Sequence, residues 1–427
     1  MATTTQVNAD VARRGPADEP APPYYVRGLA LGVPAYLVGI HLWTWVFMLP
    51  AFLAGYADFS RLYTSGYLVR AGYRHQLYDS PIRYQFENQL TPGLALPFDH
   101  PAFEALLFAP FSYLNYRGAY LAFLAFNVGL LGIAFWLLKP WMENLRRIYP
   151  WLPAALFLAF LPVCAALIQG QDSILLLVLL AGAFRFLHRG REFAAGLLMA
   201  IGLFKFQLVV PVALLFLVWR RWRMLRGFSL AAIAAVAVSV WLTGISQSWA
   251  YVRVLQSMSI HSGSAAERLK NILEPNAMPN LRGLLFGFLG GRLTNLWLQV
   301  VTIILSLALL AWIARVSRRR SATDLLLVAI TASALASYHI LIQDVAILLL
   351  PVLVMMDRYI GGEAAGSSAE RFMFRSAALM FVAPVLMSWV PGHFYLAAIP
   401  LLVFMVAISK MTNKVGLPGC IGGCEQG

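Results

Sequence analysis

The chain has 427 residues, 60% of them hydrophobic and only 12% charged, with a mean hydropathy of +0.70. A water-soluble domain carries roughly 45–50% apolar and about 25% charged residues, so this composition excludes a soluble globular protein. The formal charge of +14 comes largely from arginines and lysines in short loops between apolar runs, which is the pattern of cytoplasmic loops. No nucleic-acid-binding motif accompanies it.

The first segment, 1–26, is polar and rich in Pro and Ala, and reads as a disordered cytoplasmic tail. The apolar run that follows is too long for a cleaved signal sequence. A spanning helix needs about 20 mostly apolar residues, and unalternating runs of that length favour helices over a barrel. Spans are expected near 28–55, 118–138, 150–168, 172–187, 228–246, 293–314, 323–338, 342–356, 372–390 and 394–409, in a single membrane domain over 27–410. The fold class is therefore an all-α polytopic bundle of about 10–12 membrane segments. A flexible tail, 411–427, closes the chain and holds Cys420 and Cys424, two cysteines without the His partners of a zinc site. Cys164, inside an apolar run, reads as a small buried hydrophobe.

Segment 193–219 resists a simple assignment because Lys205 interrupts it in GLFKFQLVVP. A single crossing there would put Arg220, Arg221, Arg223 and Arg226 on the opposite side from the other basic clusters. A pair of half-helices entering and leaving on the cytoplasmic side removes the conflict, because irregular backbone is tolerated at membrane depth when buried in protein. Both termini are then cytoplasmic. Loops 56–117 and 247–292 face the other side, where SRLYTSGYLVRAGYRHQLY and PAFEALLFAPFSYL read as interfacial helices.

The residues able to do chemistry gather on that non-cytoplasmic side. Asp58 follows the first span, either as the N-cap of the next helix or as a functional carboxylate at the membrane boundary. Gln171 and Asp172 lie in a tight Gly-containing turn, where Asp172 caps the next helix or the pair binds a sugar or a phosphate. Lys205 either pairs with Asp172 or another acid, or holds a lipid phosphate. Tyr338, His339 and Asp344 flank a later turn. There His339 donates to a phosphate, moves a proton or merely hydrogen-bonds, and Asp344 orients it or bonds the neighbouring helix. Arg282 either reaches a phosphate with its planar fork or snorkels to the headgroups. Arg61, Arg70, Arg74 and Arg83 are expected at lipid headgroups. No P-loop, GxSxG, HExxH or paired-Asp metal motif is present.

In order, Asp58-Phe59, Tyr63, Gly66, Leu77-Tyr78-Asp79, Pro101 to Pro110, Gly170-Gln171-Asp172-Ser173, Lys205-Phe206-Gln207, and His339 with Asp344 resemble the integral-membrane glycosyltransferases of the GT-C type. Among these the chain is most similar to family 87, the polyprenyl-phosphate-mannose-dependent α-1,2-mannosyltransferase group. The resemblance implies a polyprenyl-phosphate sugar donor, a lipid or glycan acceptor, inversion of the anomeric centre and neither cofactor nor metal. It implies a multi-pass protein of a bacterial inner membrane with its site toward the periplasm or exterior. It casts Asp58 as general base, Lys205, His339 and Arg282 as phosphate ligands, and Gln171, Asp172, Tyr63, Gln207, Tyr338, Asp344 and His100 as substrate contacts. Where the family usually has Tyr-Pro-Pro, this chain has Asp99-His100-Pro101, a departure at the expected acceptor pocket. The competing classes are a transporter or lipid flippase, which would need a polar path open to both sides, and a non-catalytic scaffold.

Overall fold

A computed structural model describes residues 24–90, 98–259, 275–360 and 366–410. Both tails, Cys420, Cys424 and parts of the two long loops lie outside these residues. Every regular element among them is helical, as the long apolar runs require.

Helix α1 (Tyr24–Ala51) is mostly apolar and ends in a π-turn, Phe52–Tyr56, where Gly55 takes φ +103°. That turn sends the chain into a layer of three short helices, α2 (Phe59–Arg70), α3 (Ser80–Leu90) and α4 (Ala102–Phe108), packed with the start of the long α5 (Tyr116–Leu138). The layer has its own core of Phe59, Leu62, Phe98, Phe108, Tyr120 and Phe123. Gly66 lets α2 lie directly on α4, since a Cβ there would stand 2.4 Å from the Phe108 carbonyl carbon. Eight of the twelve α2 residues are buried, so this helix is wedged into the protein and does not float at the membrane surface as its alternating pattern suggests.

The expected spans follow, several of them divided. Positions 150–168 form two helices, α6 being the short Glu143–Ile148 before them, α7 Leu152–Ala159 and α8 Leu161–Ile168, broken at the extended Phe160 because Pro162 can neither donate to nor fit against the preceding turn. Next come α9 (Ser173–His188), α10 (Glu192–Ile201), α11 (Phe206–Val218), α12 (Trp222–Thr243), α13 (Ile245–Ser259), α14 (Leu281–Leu289), α15 (Asn295–Ser317), α16 (Ala322–Ala336), α17 (Leu349–Tyr359), α18 (Ser368–Ser388) and α19 (Ala398–Ser409). Side-chain caps at Asn115, Asn280, Thr294, Ser321 and Ser367 open five of the helices.

The ambiguous segment is a hairpin. Residues Glu192–Val218 are long and apolar enough for one crossing, and as a straight helix they would span about 40 Å. Yet Arg221 Nη1 donates to Glu192 Oε1 over 3.1 Å, so the two ends meet. A short 3₁₀ turn, Gly202–Lys205, reverses the chain, with Lys205 at non-helical φ −112°, ψ 60°. Helix α10 then lies beside α12. Gly196 and Gly227 are the contact, a Cβ on either falling about 2 Å from a carbonyl oxygen of the other helix (1.9 and 2.1 Å).

Hydrogen bonds tie the basic loops into one end of the bundle: Arg185 to Leu137, Arg221 to Glu192 and Arg320, Arg320 to Ile408 and Ser409, and Arg358 to Asp324. Asp58, His100, Gln171, Arg282, His339 and Asp344 gather toward the opposite end.

Candidate active site

Two Gln-Asp dipeptides build the centre of the site. Gln171-Asp172 lies in the turn between α8 and α9, and Gln343-Asp344 opens the 3₁₀ segment Ile342–Leu348 before α17. Both glutamines donate to the same oxygen of Asp58, Gln171 Nε2 to Oδ2 over 2.7 Å and Gln343 Nε2 over 3.1 Å. Both aspartates face Lys205, whose Nζ is 2.9 Å from Asp172 Oδ1 and 2.6 Å from Asp344 Oδ1. Lys205 also donates to Gln171 Oε1 over 3.3 Å. One glutamine amide therefore joins Lys205 to Asp58, although the two charged groups do not touch each other.

The turn before Asp172 is shaped by Gly170 at φ +60°, where an added Cβ would stand 2.7 Å from Phe59 Cβ. Phe59 N and Asp58 N donate to the Gln169 backbone and side-chain oxygens over 3.0 and 3.2 Å. These bonds free the Asp58 side chain from capping. Its backbone is already helical, φ −56° and ψ −23°, and its carboxylate makes no cap bond to α2. Oδ2 is held by the two amides, while Oδ1 has no hydrogen-bond partner among the described residues. Asp58 lines an open cavity of about 360 Å³ with Gln169, Ala277, Leu341, Gln343 and Pro391.

Lys205 is 3% exposed and its ammonium protons are engaged by two carboxylates and an amide. This is the structural pairing, not an open phosphate seat. Asp344 is equally occupied, its Oδ2 accepting from Leu341 N over 3.0 Å and its Oδ1 also from Ser173 Oγ over 3.2 Å. Asp172, like Asp58, makes no cap bond to the helix it precedes.

Unsatisfied donors lie elsewhere. Arg282, 1% exposed, packs its guanidinium 4.0 Å from the centre of the Tyr338 ring and donates Nη1 to the Tyr338 carbonyl over 3.1 Å. Its Nε and Nη2, and Nδ1 of His339, are buried without a hydrogen-bond partner among the described residues. Burial holds His339 below its ordinary value, so the ring is neutral, and Asp344, Asp99, Arg61 and Arg282 are its charged neighbours.

A third group flanks the Asp172 side. Arg61 Nη1 pairs with Asp99 over 2.9 Å. Burial opposes ionisation of Asp99, yet Arg61 holds it down to about 2. His100 stacks on Phe98 and sets Nδ1 2.5 Å from Glu104 Oε2, and burial pushes His100 down to about 4. Burial first, and the neighbouring Asp172 second, push Glu104 well above the usual carboxylate range. Among the described residues His100, Glu104 and Asp172 are the three whose ligand-type atoms approach within 4.8 Å of one another. The 2.5 Å contact is a hydrogen bond. Two ligand atoms on one metal would stand roughly 3 Å apart or more.

Several expected contacts are placed differently. Tyr63 is a core residue, with its hydroxyl given to the Leu114 carbonyl over 2.8 Å and its ring against Tyr116. Gln207 is half-buried on the first turn of α11 and makes no hydrogen bond among the described residues. Arg61 is half-buried, its side chain 14% exposed, on Asp99, and Arg83 is buried, donating Nη2 to the Arg61 carbonyl over 2.9 Å. Neither reaches a headgroup, whereas Arg70 stacks on Tyr67 and Tyr113 near the surface.

Gln343 and Glu104 escaped the sequence reading. The repeated Gln-Asp dipeptide was the signal for the first. For the second it was a His and a Glu four apart across a helix start.

A sequence model described as glycosyltransferase family 87 matches residues 98–338, more than half of the chain. The match begins beyond Asp58 but contains Gln171, Asp172, Lys205 and Arg282. No curated protein and no solved structure matches the chain.

Proposed function

Because the chain belongs to glycosyltransferase family 87, we propose that it moves a hexose, mannose or a close relative, from a polyprenyl-phosphate donor to a hydroxyl of a lipid or glycan acceptor. The reaction takes place at the non-cytoplasmic face of a bacterial inner membrane, with both chain termini in the cytoplasm. The observation that carries the reading is Asp58, a carboxylate held at Oδ2 by two amides, with Oδ1 unengaged, lining an open cavity.

The reaction is a direct displacement. The acceptor oxygen attacks the anomeric carbon and its proton passes to Asp58 Oδ1. The bond from that carbon to the phosphate oxygen breaks, polyprenyl phosphate leaves with the electron pair, and configuration inverts. A positioned general base contributes typically about 10²–10⁴-fold to rate, and the two amides keep Asp58 aimed.

The leaving phosphate gains negative charge, which fixed N–H donors stabilise. Arg282 Nε and Nη2, and His339 Nδ1 in the tautomer that protonates it, are buried without a partner among the described residues and can supply such donors. A buried donor left unpaired costs about 1–3 kcal/mol, so phosphate oxygens would remove a penalty as well as add an attraction. Lys205 acts one step back, locking the two Gln-Asp turns that hold Asp58. Asp99 and His100, in place of the family's usual Tyr-Pro-Pro, shape the acceptor side.

The test is incubation of purified protein with radiolabelled polyprenyl-phosphate sugars and membrane lipid extract. Transfer is expected from one donor sugar, with Asp58→Asn at least a hundredfold slower while donor binding persists. Undiminished transfer by Asp58→Asn would remove the base, and use of a nucleotide sugar in place of the lipid-linked one would remove the donor.

A further inference from the structure

At the basic end of the bundle, far in sequence from the reacting carboxylate, α11 and α15 diverge around a cavity of about 720 Å³. Its walls are apolar and open outward, with Leu214 and Leu217 on α11 and Leu310 on α15. Its rim carries Arg220, Arg315 and Arg318 and no acidic residue. The acids described nearby are already paired, Glu192 with Arg221 and Asp324 with Arg358. None of the three rim guanidiniums has a partner among the described residues.

Arg220 stands in a place where its side chain is not required by the backbone. Helix α11 ends in a Schellman turn, Arg220 N donating to the Leu217 carbonyl over 2.9 Å and Arg221 N to the Phe216 carbonyl over 3.0 Å. The middle of that turn needs a left-handed residue and is ordinarily glycine. Here it is Arg220 at φ +57°, the one non-glycine with positive φ among the described residues. An uncommon conformation kept by a bulky cation points to a function for that cation. Trp219 Nε1 donates to the Ala314 carbonyl over 2.9 Å. This anchors the end of α11 to the turn of α15 that bears Arg315, with Arg318 three residues on.

We propose that this cavity is a binding site for one anionic phospholipid, its phosphate among Arg220, Arg315 and Arg318 and an acyl chain along Leu214, Leu217 and Leu310. Basic pockets between membrane helices on the cytoplasmic side suit anionic headgroups. A zwitterionic lipid fits less well, because its ammonium would meet three cations, and the nearby indole N–H is taken by Ala314. The site grips the return leg of the hairpin whose apex is Lys205, and it does not depend on the sugar-transfer reading.

Native mass spectrometry of the purified full-length protein tests it, comparing retention of phosphatidylglycerol and phosphatidylcholine of equal chain length. At roughly 1 kcal/mol per guanidinium near an anionic headgroup, each arginine is worth about fivefold. The wild type should favour phosphatidylglycerol, and the triple variant R220G/R315Q/R318Q should lose at least tenfold of that preference. Arg220→Gly alone should lose about fivefold with an unchanged or higher Tm in lipid-free detergent, since glycine suits the turn. Arg189→Gln with Arg191→Gln should leave the preference intact. Equal retention of the two lipids by the wild type, or equal losses from the Arg189/Arg191 pair, would overturn the site.

Discussion

Lys205 is the residue whose role the geometry changes most. A cation inside a membrane segment looks like a phosphate ligand until its neighbours are known, and here Asp172 and Asp344 enclose it. Removing one partner of a buried ion pair typically costs about 3–5 kcal/mol, because the other charge stays buried. Lys205→Met should therefore lower the thermal midpoint in detergent by many degrees and reduce the folded yield, with Asp344→Asn a milder loss. A Lys205→Met protein that unfolds like wild type but binds donor ten times more weakly would restore the phosphate role. Gln343 offers a cleaner reading of catalysis. Gln343→Ala should lower kcat by roughly tenfold through loss of one charge-assisted hydrogen bond to Asp58, with donor KM nearly unchanged. A rise in KM at constant kcat would instead make Gln343 a donor contact.

Glu104 gives a pH dependence with a definite sign. Burial and the neighbouring Asp172 raise it well above a free carboxyl. A group raised in the folded state contributes stability that is full below its unfolded value, near 4.5, and is lost as pH climbs through the folded value. Thermal stability should therefore fall on the alkaline side, and Glu104→Gln, which keeps the protonated shape, should flatten that fall. Midpoints measured in detergent from pH 5 to 9 decide it. A parallel fall in wild type and Glu104→Gln would show that another group titrates.

At the scale of the element, glycines mark where two segments must touch. Gly170 combines φ +60° with Phe59 Cβ lying 2.7 Å from where a methyl would be, so Gly170→Ala must displace either the Gln-Asp turn or α2. Both carry Asp58 contacts, so activity should fall by tenfold or more while global stability changes by only about 1–2 kcal/mol. Equal activity with an unshifted midpoint would mean that the turn has slack. The spans themselves were legible, because a long apolar run has few alternatives in lipid. Even the hairpin could be inferred, since the Arg220–Arg226 cluster had to rejoin the other arginines. Helix α2 was not legible. Its alternation of apolar and basic residues is that of a surface helix, and the Arg61–Asp99 pair shows how a largely buried helix keeps a half-buried cation. Several residues singled out in the sequence do come together around Asp58, but their partners were not legible, because spacing along a chain says nothing of which oxygen faces which nitrogen. The polar atoms of Tyr63 and Lys205 are taken by the protein itself.

At the scale of the whole molecule, the bundle has a basic end and an end that gathers the carboxylates around Asp58. A transporter would need a polar path reaching both ends. Here the buried ion cluster lies at one end, and the hairpin of α10 and α11 turns back with Lys205 at its apex. The hairpin also sets the threading. In a single crossing Arg189 and Arg223 would lie on opposite sides of the membrane. With the Glu192–Arg221 pair closed at 3.1 Å they lie at one end of the bundle, and the excess of arginine there predicts that this end faces the cytoplasm. In a protein whose three cysteines are replaced by serine, Arg189→Cys and Arg223→Cys should both resist an impermeant maleimide in intact spheroplasts and react once the membrane is opened. Tyr113→Cys, 75% exposed at the Asp58 end, should react in both conditions. Labelling of Arg223→Cys but not Arg189→Cys in intact spheroplasts would open the hairpin into a span. It would also pull Lys205 away from the turns that hold Asp58, so the topology and the active-site geometry stand or fall together.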